Sequence, residues 1–402
     1  MYNSCCGGVE MKYNFNEKID RKNNHSAKWS EMDKNFVSND LWPMWIADMD
    51  LKTAPEVTKA IAEKAPEGIF GYVYRPDAYY RSAVGWCKDR FSWEIETKNL
   101  IHTPGVVPGI SLMIRLLTNP SDKIMIQNPV YYPFTNVVKK NNRNLVVNSL
   151  IKDESGYYTM DYTDFEEKAK DPDLKFFILC NPHNPVGRSW KRDELEKIGK
   201  ICLENNVRII SDEIWRDLVM PGNVHTPMSS ISKEIEDITI TCFSAAKTFN
   251  LAGLQAAFLH FPRLDEREIM DTELGILDIK RNNPFAIVAV EAAFTRCHSW
   301  ADQLVEHIDG NMDYLVDYVS KNIPRVRVRK PEATYLVWLD FSDYGLNKDE
   351  LSRLMQEKGK IALDDGYWFG VEGEGYERIN VACPRYMLEE GVKRIKKAVS
   401  HL

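Results

Sequence analysis

The sequence predicts an α/β protein with two domains, a large one built on a mostly parallel sheet and a smaller α+β one. In the middle of the chain, short β-rich runs alternate with helical patterns, which is typical of a parallel sheet with crossover helices. After Pro284 the pattern changes to long helices with a pair of strands. With 402 residues, of which 44% are hydrophobic, the chain is long enough to bury more than one core.

The predicted elements follow from hydrophobic periodicity and from turn residues. Strands are expected at residues 123–127, 145–150, 174–180, 207–211 and 238–243. A crossover helix is expected at 191–206, where apolar residues recur at helical spacing before Asn205-Asn206, and an apolar helix at 110–117. Beyond Pro284 we expect helix through about residue 322, strands at 326–329 and 334–341, and helices at 348–358 and 388–399.

These elements suggest domain boundaries. Residues 1–47 form an N-terminal segment that joins the small domain, residues 48–285 form the large domain, and residues 286–402 form the small domain. The first ten residues, MYNSCCGGVE, precede a second methionine, Met11. They are interpreted as an extension outside the fold.

Composition excludes several classes of protein. The formal net charge of -7 is unlike that of a nucleic-acid binder. The eight cysteines include no C-x-x-C pair, so we expect reduced thiols and no metal site. No apolar run approaches the roughly 20 residues that span a bilayer, and the N-terminal residues include no basic segment that leads into an apolar one. The sequence therefore predicts a cytoplasmic protein without a membrane or nucleic-acid partner.

Three polar residues follow three of the predicted strands: Asn184 in NPHNPVG, Asp212 in SDEIW and Lys247 in SAAKTFNLAG. The carboxyl ends of parallel strands meet at one edge of a sheet, so these side chains should lie close together. Taken singly, each has an ordinary structural interpretation, as a turn, a helix cap or a solvated lysine. Jointly, an acid facing a pyridine nitrogen, an imine-forming lysine and an amide donor predict a site for pyridoxal 5'-phosphate.

Longer motifs carry a family resemblance. NPHNPVG, SDEIW, SAAKTFNLAG and RINVACPR, in this order, resemble the fold-type I aminotransferase superfamily, classes I and II. LWPMWIADMDLKTAPEV, GIFGY, TPGVVPGI and FGVEGEGYERINVACPR are similar to the MalY/PatB-type cystathionine β-lyase branch. The resemblance extends from about Met11 to the C-terminus and implies an aspartate-aminotransferase-like fold.

The resemblance assigns roles around the cofactor ring. It makes Lys247 the Schiff-base lysine, Asp212 the partner of the pyridinium nitrogen and Asn184 the donor to the O3' oxygen. Tyr131 would lie face-on to the ring, with Tyr132 as the less favoured substitute.

Other assignments concern the cofactor phosphate. The backbone N–H groups of Val106 and Val107 would bind it at a helix N-terminus, where anions are favoured, and Ser244 would add a hydroxyl. Tyr72, in GIFGY, corresponds to a residue that these enzymes lend to the phosphate of the neighbouring subunit. The resemblance therefore implies a homodimer with shared active sites.

Arg378, which begins RINVACPR, would grip the α-carboxylate of a small amino-acid substrate through its planar fork. Arg385, nearby, is interpreted as structural.

The chain also departs from the family pattern. Trp215 replaces a tyrosine or histidine common in aminotransferases, so Asn184 alone would bond O3'. Gln255 stands where many relatives have an arginine facing the phosphate, and Ala246 where a serine is common. We expect neutral donors and the helix terminus to carry more of the phosphate binding.

The mechanism implied has Lys247 removing the Cα proton of the amino acid. The branch resemblance favours a carbon–sulfur β-lyase that converts L-cystathionine, L-cysteine or related S-substituted cysteines to pyruvate, ammonia and a thiol. An aminotransferase is the alternative, since it would use the same residues. A further alternative is a protein-binding modulator of a transcriptional regulator. A nucleotide-binding protein is disfavoured, because neither G-x-G-x-x-G after the first strands nor a G-x-x-x-x-G-K-[ST] loop is present.

Overall fold

A computed structural model describes residues 12–281, 283–400 and 402. The interpretation of residues 1–10 as an extension lies outside the described residues. No helix within them is both long and apolar enough to cross a bilayer.

The elements of the described residues are numbered in chain order. The strands are β1 (Trp42–Pro43), β2 (Leu100–Thr103), β3 (Lys123–Ile126), β4 (Asn144–Val147), β5 (Ile151–Lys152), β6 (Tyr158–Thr159), β7 (Leu174–Cys180), β8 (Arg208–Asp212), β9 (Thr239–Phe243), β10 (Ala257–His260), β11 (Arg327–Val328), β12 (Leu336–Asp340), β13 (Ile361–Ala362), β14 (Asp364–Asp365) and β15 (Tyr376–Asn380). The α-helices are α1 (Ala27–Ser30), α2 (Pro55–Lys64), α3 (Asp77–Phe91), α4 (Val106–Leu117), α5 (Pro133–Lys140), α6 (Tyr162–Ala169), α7 (Arg192–Glu204), α8 (Lys233–Asp237), α9 (Leu264–Ile276), α10 (Pro284–Arg296), α11 (His298–Asn322), α12 (Lys348–Arg353) and α13 (Arg385–Val399).

The large sheet has the strand order β2-β10-β9-β8-β7-β3-β4. The pairs from β9 to β4 are parallel, whereas β10 runs antiparallel to both of its neighbours. This confirms the predicted α/β fold with a mostly parallel sheet. The strands β2 and β10 were not predicted, because a histidine interrupts the apolar run of each one.

Both faces of the sheet are covered, and β7 shows how its sequence permits this. Its apolar residues alternate between two separate cores: Phe176 and Ile178 pack on the side of α4, α5 and α9, whereas Phe177 and Leu179 pack on the side of α6 and α7. A strand that is buried on both faces needs such a continuous apolar run. The run ends at Cys180, directly before the polar loop that contains Asn184.

The smaller sheet, β11-β12-β15-β14, is antiparallel. From the N-terminal segment, β1 pairs in parallel with β13, so this segment contacts the C-terminal part of the chain. The boundaries 1–47, 48–285 and 286–402 stay predictions.

Several helix boundaries differ from those predicted. Helix α4 begins at Val106, four residues before the apolar run, because Gly105 supplies an extended N-cap residue and Val107 and Pro108 fit the first turn. The long helical region divides at Cys297, whose ψ of 28° interrupts it between α10 and α11. Helix α12 continues as a π-helical turn, Leu354–Gly359, and α13 begins at Arg385 rather than at residue 388.

Candidate active site

A cavity of about 190 Å³ lies at the carboxyl ends of β7, β8 and β9. Seven of the predicted cofactor-binding residues line it: Val106, Val107, Tyr131, Asn184, Asp212, Ser244 and Lys247. The other lining residues are Ala47, Pro104, Gly105, Pro108, Cys180, Ile214, Trp215, Ala246, Ala252 and Ala256. The predicted meeting of the strand ends is therefore observed.

The register of the sheet explains this convergence. Asp212 is the last residue of β8 and pairs directly with Cys180 of β7 and Cys242 of β9. The loops that leave β7 and β9 begin beside it and carry Asn184 and Lys247. Residues that are far apart in sequence thus meet around one buried carboxyl.

Lys247 is half-buried, and its Nζ donates a hydrogen bond to the carbonyl oxygen of Ala47 at 2.7 Å. Burial lowers the pKa of this amine to about 8, and the cation of Arg378 acts in the same direction. The nearby anions Asp48 and Asp212 oppose the shift. At pH 7 about a tenth of Lys247 is therefore the free amine, the form that acts as a nucleophile or a base, and this fraction far exceeds that of an ordinary lysine.

Asp212 is 3% exposed. Its Oδ1 accepts a hydrogen bond from the backbone N–H of Ile214 at 3.1 Å. Burial raises the pKa of this carboxyl to about 7, whereas the Ile214 N–H and the charge of Lys247 lower it. A cationic N–H from a ligand in the cavity would stabilise the carboxylate form, as an opposite charge does in general.

The first turn of α4 supplies part of the cavity wall. The N–H groups at a helix start have no intrahelical partner, so those of Val106 and Val107 are suited to an anion. Gly109 brings this helix close to the sheet, because a Cβ there would lie 3.1 Å from the side chain of Leu259. The Ser244 hydroxyl also lines the cavity, but it donates to the carbonyl oxygen of Ala256 at 2.6 Å.

Asn184 connects the cavity to the arginine behind it. Its Oδ1 accepts a hydrogen bond from Arg378 Nη1 at 2.7 Å. This bond orients the amide, so that its Nδ2 group remains the donor available to a ligand. The carbonyl oxygen of Asn184 accepts from the N–H of Tyr131 at 3.1 Å, which ties the predicted ring-facing tyrosine to the same loop.

Arg378 is 3% exposed and does not line the cavity wall itself. Besides its bond to Asn184, its Nη2 donates to Asp364 Oδ2 in a buried ion pair. The ring of Phe369 lies 4.7 Å from the guanidinium carbon. Arg385, in contrast, donates to the carbonyl oxygen of Gly310 at 2.7 Å, as a structural residue would.

Tyr72 lies away from the cavity. Its side chain is 90% exposed, and its ring contacts Arg281 at 5.1 Å. Within this chain it therefore does not join the other predicted residues. Its expected role in a neighbouring subunit stays a prediction.

The three departures from the family pattern differ in position. Trp215 lines the cavity, where its ring lies 5.3 Å from Lys247 Nζ and packs edge-on against Tyr335. Ala246 also lines it, whereas Gln255 is exposed and does not. An amide at position 255 thus makes no contribution to the cavity wall.

The family model for class I and II aminotransferases matches residues 46–395, which include every element around the cavity. The chain belongs to the class I and II aminotransferase family.

Within this family, the chain is similar over nearly its whole length to proteins of the cystathionine β-lyase branch. It is 41% identical to cystathionine β-lyase PatB of Bacillus subtilis, with 96% of this chain and 100% of the relative covered. A PLP-bound structure from Clostridium difficile 630, described as that of a candidate aminotransferase, is 52% identical with a TM-score of 0.95, covering 96% of this chain and 100% of that one. The PLP-bound C–S lyase from Staphylococcus hominis is 32% identical with a TM-score of 0.90, covering 98% and 100%.

The sequence did not reveal some of the groups around this candidate site. The carbonyl oxygen of Ala47 accepts from both Lys247 and the hydroxyl of Tyr335, the latter at 2.9 Å. Every residue has a backbone carbonyl, so the sequence does not reveal that this one accepts these hydrogen bonds. Asp364 was missed because a pair of acidic residues after a short apolar run has no distinctive spacing, although its position opposite Arg378 places it beside the site.

Proposed function

We propose that this protein is a pyridoxal-phosphate-dependent carbon–sulfur β-lyase that acts on L-cystathionine, L-cysteine or related S-substituted cysteines. The observation that carries the proposal is one cavity that unites a half-buried amine of lowered pKa, a buried carboxyl and a helix N-terminus. The whole-length similarity to PatB and to the S. hominis C–S lyase supports β-elimination as the reaction.

The residues present fit pyridoxal phosphate. Lys247 would hold it covalently through Nζ, and the N–H groups of Val106 and Val107 would bind its phosphate, with Ser244 as a further contact. Asp212 supports this fit most strongly, because its buried carboxyl has a raised pKa of about 7 and would be stabilised by a protonated ring nitrogen. When bound, the cofactor supplies an electron sink conjugated to the amino group of the substrate.

The chain's own residues would then perform the remaining tasks. Arg378 binds the α-carboxylate of the amino acid and orients it, and the amide of Asn184 holds the ring oxygen. Once the amino group of the substrate has replaced Lys247 on the cofactor, the released Nζ amine would remove the Cα proton. Asp212 keeps the proton on the ring nitrogen. The thiolate on Cβ departs, and hydrolysis of the remaining three-carbon unit gives pyruvate and ammonia.

Incubation of the holoenzyme with L-cystathionine, without any oxo-acid, tests the reaction. The proposal requires stoichiometric pyruvate and free thiol. Aminotransfer is the second candidate, favoured by the 52% identity to the C. difficile protein. Amino-group transfer from aspartate or alanine that depends strictly on 2-oxoglutarate, with no pyruvate from cystathionine, would establish that candidate and exclude the lyase.

We also propose a homodimer in which Tyr72 completes the site of the partner. The segment before α3 exposes several large apolar side chains in sequence, and such a patch is typical of a protein interface. They are Ile69, Phe70, Tyr72 and Tyr74, at 81%, 58%, 90% and 82% exposure.

A mixing experiment tests this sharing. Tyr72→Ala and Lys247→Ala chains should each be nearly inactive. After unfolding and refolding together, hybrids contain one site with both native residues, so activity should return. If the mixture stays as inactive as its components, the shared site is wrong. We further propose a cytoplasmic location, consistent with the six described cysteines, all of which are free thiols.

A further inference from the structure

The guanidinium of Arg378 already has protein acceptors on both terminal nitrogens. Nη1 donates to Asn184 and Nη2 donates to Asp364. Nε is buried and has no hydrogen-bond partner among the described residues. A carboxylate bound by two parallel N–H groups therefore needs at least one of the nitrogens that Asn184 and Asp364 use.

The position of Asp364 is fixed by the sheet. In the antiparallel pairing of β14 with β15, Asp364 lies directly opposite Arg378. Both side chains are 4% exposed, so water screens their interaction very little. The ion pair is thus a built-in feature of the strand register rather than a chance surface contact.

Arg378 does not depend on Asp364 alone for its orientation. Its neighbour on the other side, across the β12–β15 pair, is Trp338, and the Phe369 ring stacks near the guanidinium. Asn184 provides a neutral hydrogen-bond acceptor. What Asp364 adds to these contacts is a negative charge at the guanidinium that a substrate carboxylate would also use.

We propose that Asp364 competes with the carboxylate of the substrate for the guanidinium of Arg378. It neutralises Arg378 in the substrate-free protein and has to share or release the guanidinium when an amino acid binds. This inference rests on the proposed role of Arg378 in binding the α-carboxylate. By this inference Asp364 lowers the affinity for the substrate. An aspartate that only positioned Arg378 would instead raise that affinity.

Binding of propionate to the holoenzyme separates these roles, because propionate carries a carboxylate but no amine that reacts with the cofactor. Asp364→Asn keeps the shape and removes the charge. We expect it to bind propionate about tenfold more tightly than the native protein, the equivalent of one pKa unit of like-charge interaction. Asp364→Glu, which keeps the charge, should show no such gain. Isothermal titration calorimetry measures each dissociation constant.

Asp365→Asn is the matched control. Asp365 is the neighbouring buried carboxyl on β14, but it lies opposite Glu377 and accepts a hydrogen bond from Ser352 at 3.2 Å. Its substitution should change the propionate affinity by less than about twofold. Removal of a like charge at the guanidinium is expected to change it about tenfold. Circular dichroism verifies the fold, and Asp364→Ser serves as a second charge-removing variant.

Equal or weaker binding by Asp364→Asn and Asp364→Ser, or no binding of propionate by any of the proteins, overturns the competitor role. The outcome is independent of the proposed reaction. If the affinities follow the expected order while L-cystathionine is not cleaved, the lyase proposal fails and the competition stands. If cystathionine is cleaved and removal of the charge weakens propionate binding, the lyase proposal stands and the competitor role fails.

Discussion

Substitution of Arg378 by lysine keeps the positive charge of the proposed substrate-binding residue but removes its planar fork. An ammonium has three N–H groups, and two of them would be needed by Asn184 and Asp364, the present acceptors of the guanidinium. One N–H would remain for the substrate. The loss is therefore one charge-assisted hydrogen bond to the α-carboxylate, about 1.5–3 kcal/mol. This corresponds to a decrease in kcat/KM of about 10-fold to 150-fold.

Steady-state kinetics with L-cystathionine measure this decrease, which should appear mainly as a higher KM. Arg385→Lys is the matched control, because Arg385 contacts the carbonyl oxygen of Gly310 and the ring of Tyr314 instead of the site. It should keep kcat/KM within about twofold, since no substrate hydrogen bond is lost. A KM for Arg378→Lys within that same range, or an equal defect in both variants, would refute the carboxylate-binding role.

Three further predictions concern the amine, the acid and stability. Acetylation of Lys247 in the cofactor-free protein should be half-maximal near pH 8, because the amine is uncharged only above its lowered pKa; a midpoint near that of ordinary lysines, about 10.4, would contradict it. Asp212→Asn should lower kcat by about two orders of magnitude through loss of a preorganised charge, with the visible absorbance of bound cofactor retained; a kcat close to the native value would count against its role. Lys28→Met should lower the free energy of unfolding by about 3 kcal/mol, since it leaves the carboxylate of Asp50 buried with less compensation. Urea denaturation measures this loss, and Lys34→Met, at an exposed ion pair, should show no comparable effect.

Much of the large sheet could be predicted because its strands are buried on both faces. A continuous apolar run such as that of β7 is typical of a strand that is buried on both faces. The predicted bounds of β7 match those observed. Strand β4 is different: we expected it to reach residue 150, but it ends at Val147. At the next residue, the side-chain amide of Asn148 forms hydrogen bonds with Gln127 and Asp164. These are tertiary contacts that no local sequence pattern reveals.

The site was predictable where side-chain chemistry and strand ends coincide, as they do for Asn184, Asp212 and Lys247. It was not predictable where the backbone or a strand register supplies the contact. The carbonyl oxygen of Ala47 comes from a segment that crosses the cavity 200 residues away from Lys247 in sequence. Asp364 meets Arg378 only through the pairing of two strands, one of which is two residues long.

The attachment of pyridoxal phosphate to Lys247 is the central claim, and borohydride reduction followed by peptide mass mapping tests it most directly. Reduction of the holoenzyme should fix the cofactor on the peptide that contains SAAKTFNLAG, at Lys247, in near-stoichiometric amount. Lys28 is the internal comparison, because it is more deeply buried than Lys247 but is paired with Asp50 at 2.5 Å. Recovery of the label on Lys28 or on any other lysine, with Lys247 unmodified, would contradict the assignment.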